Sequence, residues 1–191
     1  MPQGRLFVVA GPSGAGKGTL IAELLRRYPT AWLSVSATTR KPRQGEEDGV
    51  QYLFLGEGAF RKMVAEGDFL EWAEVHGKLY GTPRNRVTEM MDSGHDAILE
   101  IDVQGARQVR EKMPEAVTIF VDPPSAEVLE ERLRNRGTED EEEMRRRLRN
   151  ACEENREKAE YQYVVVNDQL YRAAEELCAI YEKESPLQRA D

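Results

Sequence analysis

The chain has 191 residues, 40% of them apolar and a formal net charge of −8, which fits one compact domain with its own hydrophobic core. Because binding to a phosphate backbone needs an excess of Lys and Arg on one face, the acidic balance argues against a nucleic-acid partner. The apolar runs are too short to span a bilayer and no targeting pattern opens the chain, so we expect no membrane partner and a cytoplasmic location.

Short apolar runs alternate with helix-patterned stretches along most of the chain. Residues 6–10, 97–103, 117–121 and 163–166 predict buried strands, each followed by helical spacing of apolar residues. This alternation is typical of an α/β fold with a parallel sheet.

The rhythm changes between residues 36 and 88. Two predicted strands surround a short helix there, and turn residues flank them, which indicates a small lobe inserted into the α/β core. The predicted strands are 51–55 and 69–75, the helix lies near 59–65, and the turns are 44–49 and 77–81.

A charged stretch at 136–159 predicts one long amphipathic helix. Met144, Leu148 and Cys152 recur there at four-residue spacing. No metal-ligand spacing surrounds Cys152 or Cys178, so we expect both to be reduced core residues.

The first predicted strand runs directly into a glycine-rich loop, Gly11-Pro12-Ser13-Gly14-Ala15-Gly16-Lys17. A helical pattern follows at 19–27, which is the context that a P-loop requires. The glycines allow successive N–H groups to converge on phosphate oxygens, and Lys17 reaches the β- and γ-phosphates.

The loop departs from the usual P-loop at the position after Lys17. A hydroxyl there normally ligates Mg²⁺, but this chain has Gly18, and Thr19 comes one residue later. We therefore expect phosphate oxygens and waters to hold Mg²⁺, with Glu100 or Asp102 orienting the waters. The alternative is that both acids merely mark where a strand emerges into solvent.

Further motifs extend over nearly the whole chain. They are Ser34-Val35-Ser36-Ala37-Thr38-Thr39-Arg40-Lys41-Pro42-Arg43, Phe69-Leu70-Glu71-Trp72-Ala73, Tyr80-Gly81-Thr82, Glu100-Ile101-Asp102-Val103-Gln104-Gly105, Arg136-Gly137-Thr138 and Val166-Asn167-Asp168. In their residues and in their order, these motifs resemble the guanylate kinase family.

The resemblance implies a Mg²⁺-dependent transfer of the γ-phosphoryl group from ATP to GMP or dGMP. It also implies three parts: a core (1–35, 89–135 and 160–191), a GMP-binding lobe (36–88) and a lid (136–159). ATP would contact the loop from Gly11 through Gly18 to Thr19. Asn167 would contact adenine, although a structural Asn at a strand end is the alternative.

For GMP, the resemblance implies that Arg40 and Arg43 clamp the phosphate and that Tyr52 and Tyr80 donate to it. A guanidinium fork pairs with phosphate oxygens bidentately, which supports the assignment. A solvated basic turn is the alternative for both arginines.

The resemblance also implies the residues that read guanine. Carboxylates of Glu71 and Asp102 would accept hydrogen bonds from N1–H and the exocyclic NH₂, whereas adenine has a lone pair at N1 that they would repel. Ser36 and Thr82 would donate to O6, with Thr82 standing where family members often have Ser. The alternative for Glu71 is an acid on a strand surface.

The catalytic residues implied are Lys17, Arg136 and Arg147. Other arginines stand close by, and surface ion pairing within a helix is the alternative for this charged stretch. A non-catalytic binding module and a kinase for a phosphorylated ribose are the rival functions, and the sequence leaves the oligomeric state open. The neighbouring arginines are Arg132, Arg145, Arg146 and Arg149.

Overall fold

The computed structural model describes residues 3–75, 77–136 and 141–188, and within them it contains nine strands, seven α-helices and one 3₁₀ helix. The strands are β1 (Leu6–Ala10), β2 (Ala31–Leu33), β3 (Ala37–Thr38), β4 (Leu53–Phe54), β5 (Phe69–Val75), β6 (Lys78–Pro83), β7 (Asp96–Glu100), β8 (Val117–Asp122) and β9 (Tyr163–Val166). The helices are α1 (Lys17–Arg27), α2 (Glu57–Glu66), α3 (Arg84–Asp92), α4 (Val103–Lys112), α5 (Ala126–Arg136), α6 (Glu141–Glu154) and α7 (Leu170–Glu184), with the 3₁₀ helix at Asn155–Glu160.

Five strands form a central sheet in the order β2-β7-β1-β8-β9, and each neighbouring pair is parallel. Parallel strands that are covered on both faces consist of nearly continuous apolar residues, which is why their runs stand out in the sequence. The predicted α/β fold with a parallel core is confirmed. The carboxyl ends of these strands share one edge, where α/β proteins bind their ligands.

Side chains of β1 alternate between two apolar clusters, one on each face of the central sheet. Phe7 and Val9 belong to the cluster that includes α1 and α7 residues, whereas Leu6 and Val8 belong to the cluster with α3 and α4 residues. All four are at most 1% exposed. Burial of each stabilises the fold by roughly 1.5–3 kcal/mol, so the loop that follows β1 starts from a rigid strand.

A second sheet has the order β4-β3-β6-β5. β5 and β6 form an antiparallel hairpin, and β3 pairs with β6 and with β4. Phe60 of α2 packs with Phe69 and Leu79 in a small core of its own, with the Phe60 and Phe69 ring centroids 4.5 Å apart. This sheet and α2 therefore pack around an apolar cluster that is separate from the two clusters of the central sheet.

Hydrogen bonds between β5 and α4 join the second sheet to the core. The Gln108 side chain bonds both main-chain groups of Trp72, at 2.6 Å to the carbonyl and 3.2 Å from the amide. Lys112 donates to the Leu70 carbonyl at 2.7 Å. Because Leu70 and Trp72 flank Glu71, these bonds fix the position of Glu71 along α4.

Two predicted boundaries in this region are wrong. The strand predicted at 97–103 ends at Glu100, because the Asp102 carboxylate accepts a hydrogen bond from the Gly105 amide at 2.8 Å and caps α4. Most of the turn predicted at 77–81 lies in β6, which becomes a strand by pairing with β5.

The single helix predicted at 136–159 is also wrong, because α6 ends at Glu154 and the 3₁₀ helix follows. Met144 is buried, as its spacing predicts. Cys178 is buried but Cys152 is exposed, so the core assignment is confirmed for one thiol and wrong for the other. No helix within the described residues is long and apolar enough to cross a membrane.

Asp96 joins three distant parts of the chain. It is fully buried, and its carboxylate accepts hydrogen bonds from the Arg5 amide at 2.7 Å and from the Ser185 hydroxyl. Substitution Asp96→Ala leaves both donors without this acceptor, so we expect the free energy of unfolding to fall by about 2–4 kcal/mol in urea denaturation.

The matched control is Asp92→Ala, since the Asp92 carboxylate accepts from Gln3 at 2.7 Å in an exposed position. Its expected cost is below about 0.5 kcal/mol. Equal costs for the two variants would contradict the assigned role of Asp96.

Candidate active site

A cavity of about 540 Å³ is lined by the carboxyl edge of the central sheet, the second sheet and one face of α6. Most residues selected from the sequence meet in it. Those that line it are Gly11, Ser13, Gly14, Gly16, Lys17, Gly18, Thr19, Ser36, Tyr52, Glu71, Tyr80, Glu100, Asp102 and Arg147. Those described residues that do not line it are Pro12, Ala15, Arg40, Arg43, Thr82 and Asn167.

The loop between β1 and α1 turns at three glycines with positive φ. These angles are 140° at Gly11, 91° at Gly14 and 92° at Gly16, in a region that L side chains rarely adopt. The Lys17 ammonium donates to the carbonyls of Gly11 at 2.6 Å and Pro12 at 3.2 Å. Together with the positive end of the α1 dipole, this compact loop is suited to surround a phosphate chain.

Asn167, just after β9, supports that loop. Its side-chain amide is buried and donates to the Ala15 carbonyl at 2.7 Å, while Arg132 of α5 donates to the Asn167 carbonyl at 2.8 Å. A Cβ built at Gly16 would collide with the same amide. The geometry favours the structural alternative for Asn167, and the contact with adenine stays a prediction.

Two carboxyl groups, one from the second sheet and one from the start of α4, meet in the cavity wall. Glu71 of β5 is 3% exposed and accepts from the Thr82 hydroxyl of β6 at 2.6 Å. Asp102 accepts from the Gly105 amide at 2.8 Å and from the Gln104 side chain at 3.1 Å. Both acids are therefore held in fixed orientations.

Burial is the main reason that the pKa of Glu71 rises from 4.5 to about 7. The nearby charge of Asp102 raises it further, while the Thr82 hydrogen bond and the charge of Lys112 oppose the rise. Burial also raises the pKa of Asp102. Near neutral pH the cavity thus contains a carboxyl group that added hydrogen-bond donors would shift towards its ionised form.

The two hydroxyl groups predicted to donate to guanine O6 have different surroundings. Ser36 lines the cavity, whereas Thr82 is fully buried and directs its proton to Glu71. Donation from Thr82 to O6 would require that bond to break, and it stays a prediction.

The predicted phosphate clamp surrounds Glu46, a residue to which the sequence analysis gave no role. Arg40 donates to the Glu46 carboxylate through both terminal nitrogens at 2.9 and 2.8 Å, and the Arg43 amide donates to it at 2.7 Å. The Arg40 hydrogen bonds are the main cause that lowers the Glu46 pKa to about 2. Tyr52 and Tyr80 lie beside this group with ring centroids 6.0 Å apart.

One face of α6 lies against the cavity. Arg147 donates to the Ser13 hydroxyl of the loop at 3.0 Å, and Asn150 and Glu154 line the cavity from the same helix face. Burial raises the pKa of Glu154 to about 7. The sequence analysis missed Asn150 and Glu154, although their spacing of three and seven residues from Arg147 places them on its face.

The other arginines near the lid are placed differently. Arg145, Arg146 and Arg149 are exposed, whereas Arg147 is partly buried. The side chain of Arg136, the other arginine predicted to be catalytic, lies outside the described residues, as do Gly137 and Thr138.

Glu100 ends β7 beside Gly18. A Cβ built on Gly18 would lie 3.4 Å from the nearer carboxylate oxygen of Glu100, so this acid faces the phosphate loop. Within the described residues, no group of three His, Cys, Asp or Glu side chains could hold a metal ion. The site fits a divalent cation that takes most of its ligands from phosphate oxygens and water.

The support from Asn167 can be tested directly. Asn167→Ala removes the shorter of the two side-chain hydrogen bonds to the Ala15 carbonyl and leaves the one from Arg132 at 3.4 Å, so we expect the free energy of unfolding to fall by about 0.5–1.5 kcal/mol. Amide hydrogen exchange in residues 11–17 should become faster. Exposed Asn85 of α3 supplies the control, Asn85→Ala, and unchanged exchange in the Asn167 variant would refute this role.

Comparisons with known proteins agree with this geometry. The family model described as guanylate kinase matches residues 3–184. The chain is 54% identical to a guanylate kinase of Synechococcus sp. strain CC9311 over 91% of each chain. It is 50% identical to one of Carboxydothermus hydrogenoformans, over 94% of this chain and 88% of that one.

A solved structure agrees as well. The crystal structure of guanylate kinase from Anaplasma phagocytophilum superposes with a TM-score of 0.79 at 32% identity, over 97% of this chain and 88% of the other. The matches extend over nearly the whole chain, and the phosphate loop and the two acids line one cavity. We conclude that this chain belongs to the guanylate kinase family.

Proposed function

We propose that this chain transfers the γ-phosphoryl group of ATP to GMP or dGMP, giving ADP and GDP or dGDP. One observation carries the proposal: a single cavity has the phosphate loop on one wall and the buried pair Glu71 and Asp102 on another. The loop suits the phosphates of a donor, and the acids suit the base of an acceptor. Family membership supports the same reaction.

The donor would bind along the loop that ends at Lys17. Main-chain N–H groups surround the phosphates, and the Lys17 ammonium exchanges the carbonyls of Gly11 and Pro12 for phosphate oxygens. Glu100 would orient waters around Mg²⁺, which neutralises phosphate charge when bound. Asn167 keeps the loop in shape from beneath Ala15.

The acceptor base would lie against Glu71 and Asp102. Guanine presents N1–H and NH₂ on one edge, and two ionised carboxylates would accept hydrogen bonds from both groups. Adenine has a lone pair at N1, which two carboxylates would repel. Ser36 lies in the same cavity and supplies a hydroxyl for O6.

The acceptor phosphate would bind the group around Arg40. The Arg40 fork already holds a carboxylate, Glu46, in the bidentate geometry that a phosphate also accepts. Arg43 is exposed and follows Arg40 by three residues in the same loop. Tyr52 and Tyr80 add phenolic donors. This set supports a phosphate site in the proposed lobe at 36–88.

The transfer step requires alignment and charge neutralisation but no general base. A phosphate monoester has its second pKa near 6, so at neutral pH its attacking oxygen is mostly deprotonated. Arg147 reaches the loop from α6, in the proposed lid at 136–159, and would stabilise charge on the migrating group together with Lys17 and Arg136. Closure of the same helix would exclude water, which otherwise competes as acceptor.

The cytoplasmic location stays a prediction.

The reaction is tested by a coupled assay of ADP release with ATP and a panel of acceptors. We expect turnover with GMP and dGMP, and at least about 100-fold lower kcat/KM with AMP, CMP and UMP, because only guanine satisfies both acids. Lys17→Met should lower kcat by about 100-fold or more while the protein stays folded. A preference for AMP or for a phosphorylated ribose, or no turnover with GMP, would refute the proposed function.

Protonation of Glu71 should control GMP binding below neutral pH. GMP is expected to bind the ionised Glu71 carboxylate, whose pKa in the free enzyme is about 7. The kcat/KM for GMP should therefore fall about tenfold per pH unit as the pH drops below 7. Glu71→Gln should lower kcat/KM at every pH and remove this step.

Burial also raises the pKa of Asp102 beside Glu71, and two further groups that titrate nearby need controls. The GMP phosphate titrates near pH 6 and should keep its effect in the Glu71→Gln variant. Glu154 also has a raised pKa of about 7, so Glu154→Gln is the matched control and should retain the Glu71 step. If the step disappears in Glu154→Gln and persists in Glu71→Gln, the assignment to Glu71 is wrong.

A further inference from the structure

Gly105 occupies a position where helix stability alone would favour another residue. It is the third residue of α4 and is buried. Its φ is not in the left-handed region, so the backbone does not require glycine there. Alanine is favoured over glycine inside helices by about 1 kcal/mol, so another constraint must offset the cost.

That constraint is the carboxyl group of Glu71. A Cβ built on Gly105 would collide with Oε2 of Glu71 and lie 3.0 Å from its carboxyl carbon. Glu71 has little freedom to move aside, because it is 3% exposed and its other oxygen accepts from Thr82 at 2.6 Å. A side chain at residue 105 would therefore displace the carboxyl group or break the Thr82 bond.

The main chain of Gly105 acts on the second acid. Its amide donates to Oδ1 of Asp102 at 2.8 Å, and the same oxygen lies 3.3 Å from the built Cβ. One residue thus leaves space for Glu71 and orients Asp102. The two acids reach the cavity from β5 and from the start of α4, and Gly105 lies at one of the contacts between these elements.

We propose that Gly105 is a positioning residue for guanine selection, which acts by holding the carboxyl groups of Glu71 and Asp102 in the arrangement that one guanine edge matches. This inference rests on the proposed function of the two acids. It predicts that the smallest possible side chain at residue 105 impairs acceptor binding and leaves the donor site unchanged.

The test compares Gly105→Ala with Gly58→Ala. Gly58 also lies within a helix, α2, but a Cβ built there meets nothing within 4 Å. For Gly105→Ala we expect the KM for GMP to rise about tenfold or more, the KM for ATP to stay within about twofold, and the preference for GMP over AMP to fall. Gly58→Ala should match the parent protein in all three.

A rescue variant separates a local collision from general damage to α4. Glu71→Asp withdraws the carboxyl group by one methylene and makes room for a Cβ at residue 105. The double variant Gly105→Ala/Glu71→Asp should therefore lose less GMP affinity than the two single losses combined. The same cycle measured by thermal unfolding should show coupling of the same sign, which keeps the test decisive if Gly105→Ala folds poorly.

The outcomes distinguish this inference from the proposed function. If Glu71→Gln leaves the KM for GMP unchanged, the function proposed for Glu71 is wrong. If Glu71→Gln raises that KM but Gly105→Ala stays within about twofold of the parent, only the positioning role fails. Strictly additive effects in both cycles would also overturn it.

Discussion

The parallel pairing of β1 with β7 is the constraint on which the rest of the site depends. In its register Val9 lies opposite Glu100, so the chain leaves both strands at the same level of the sheet. Two residues after Val9 lies Gly11 of the phosphate loop, and two residues after Glu100 lies Asp102. A shift of this register by one residue would turn the side chains of β7 to the opposite face and separate the loop from the acids.

Burial of the Glu71 carboxyl group lowers the stability of the folded protein at and above neutral pH. Burial that raises the pKa of Glu71 from 4.5 to about 7 corresponds to about 3 kcal/mol. Because the folded-state pKa lies above the unfolded-state value, this cost is complete above pH 7 and disappears as the pH falls towards 4.5. Additional hydrogen-bond donors beside the Glu71 carboxylate would therefore stabilise its ionised form and reduce this cost. In the proposed binding mode a guanine edge supplies such donors, and binding of the acceptor would offset part of this cost.

Local patterns predicted the parts of the fold whose cause is local. The strand at 6–10 was recognisable because both of its faces are buried, and the P-loop because its glycines are needed for backbone geometry. β6 was missed, since it becomes a strand only by pairing with β5. Glu46 and Glu154 were missed because the contacts that place them are not part of any helix or strand pattern. The Arg40 fork holds Glu46, and the docking of α6 on the loop places Glu154 in the cavity wall.

Three of the cationic groups assigned to phosphate binding, Lys17, Arg40 and Arg147, already have an oxygen partner within the protein. Lys17 donates to main-chain carbonyls, Arg40 to the Glu46 carboxylate and Arg147 to the Ser13 hydroxyl. These partners hold the side chains near the positions where phosphates would bind, which reduces the entropy lost on binding. A neutral carbonyl or hydroxyl is a weaker acceptor than a phosphate dianion, so exchange favours the ligand at Lys17 and Arg147. Glu46 differs because it is charged and held by three donors, so Arg40 is better suited to share its fork with a phosphate than to release the carboxylate.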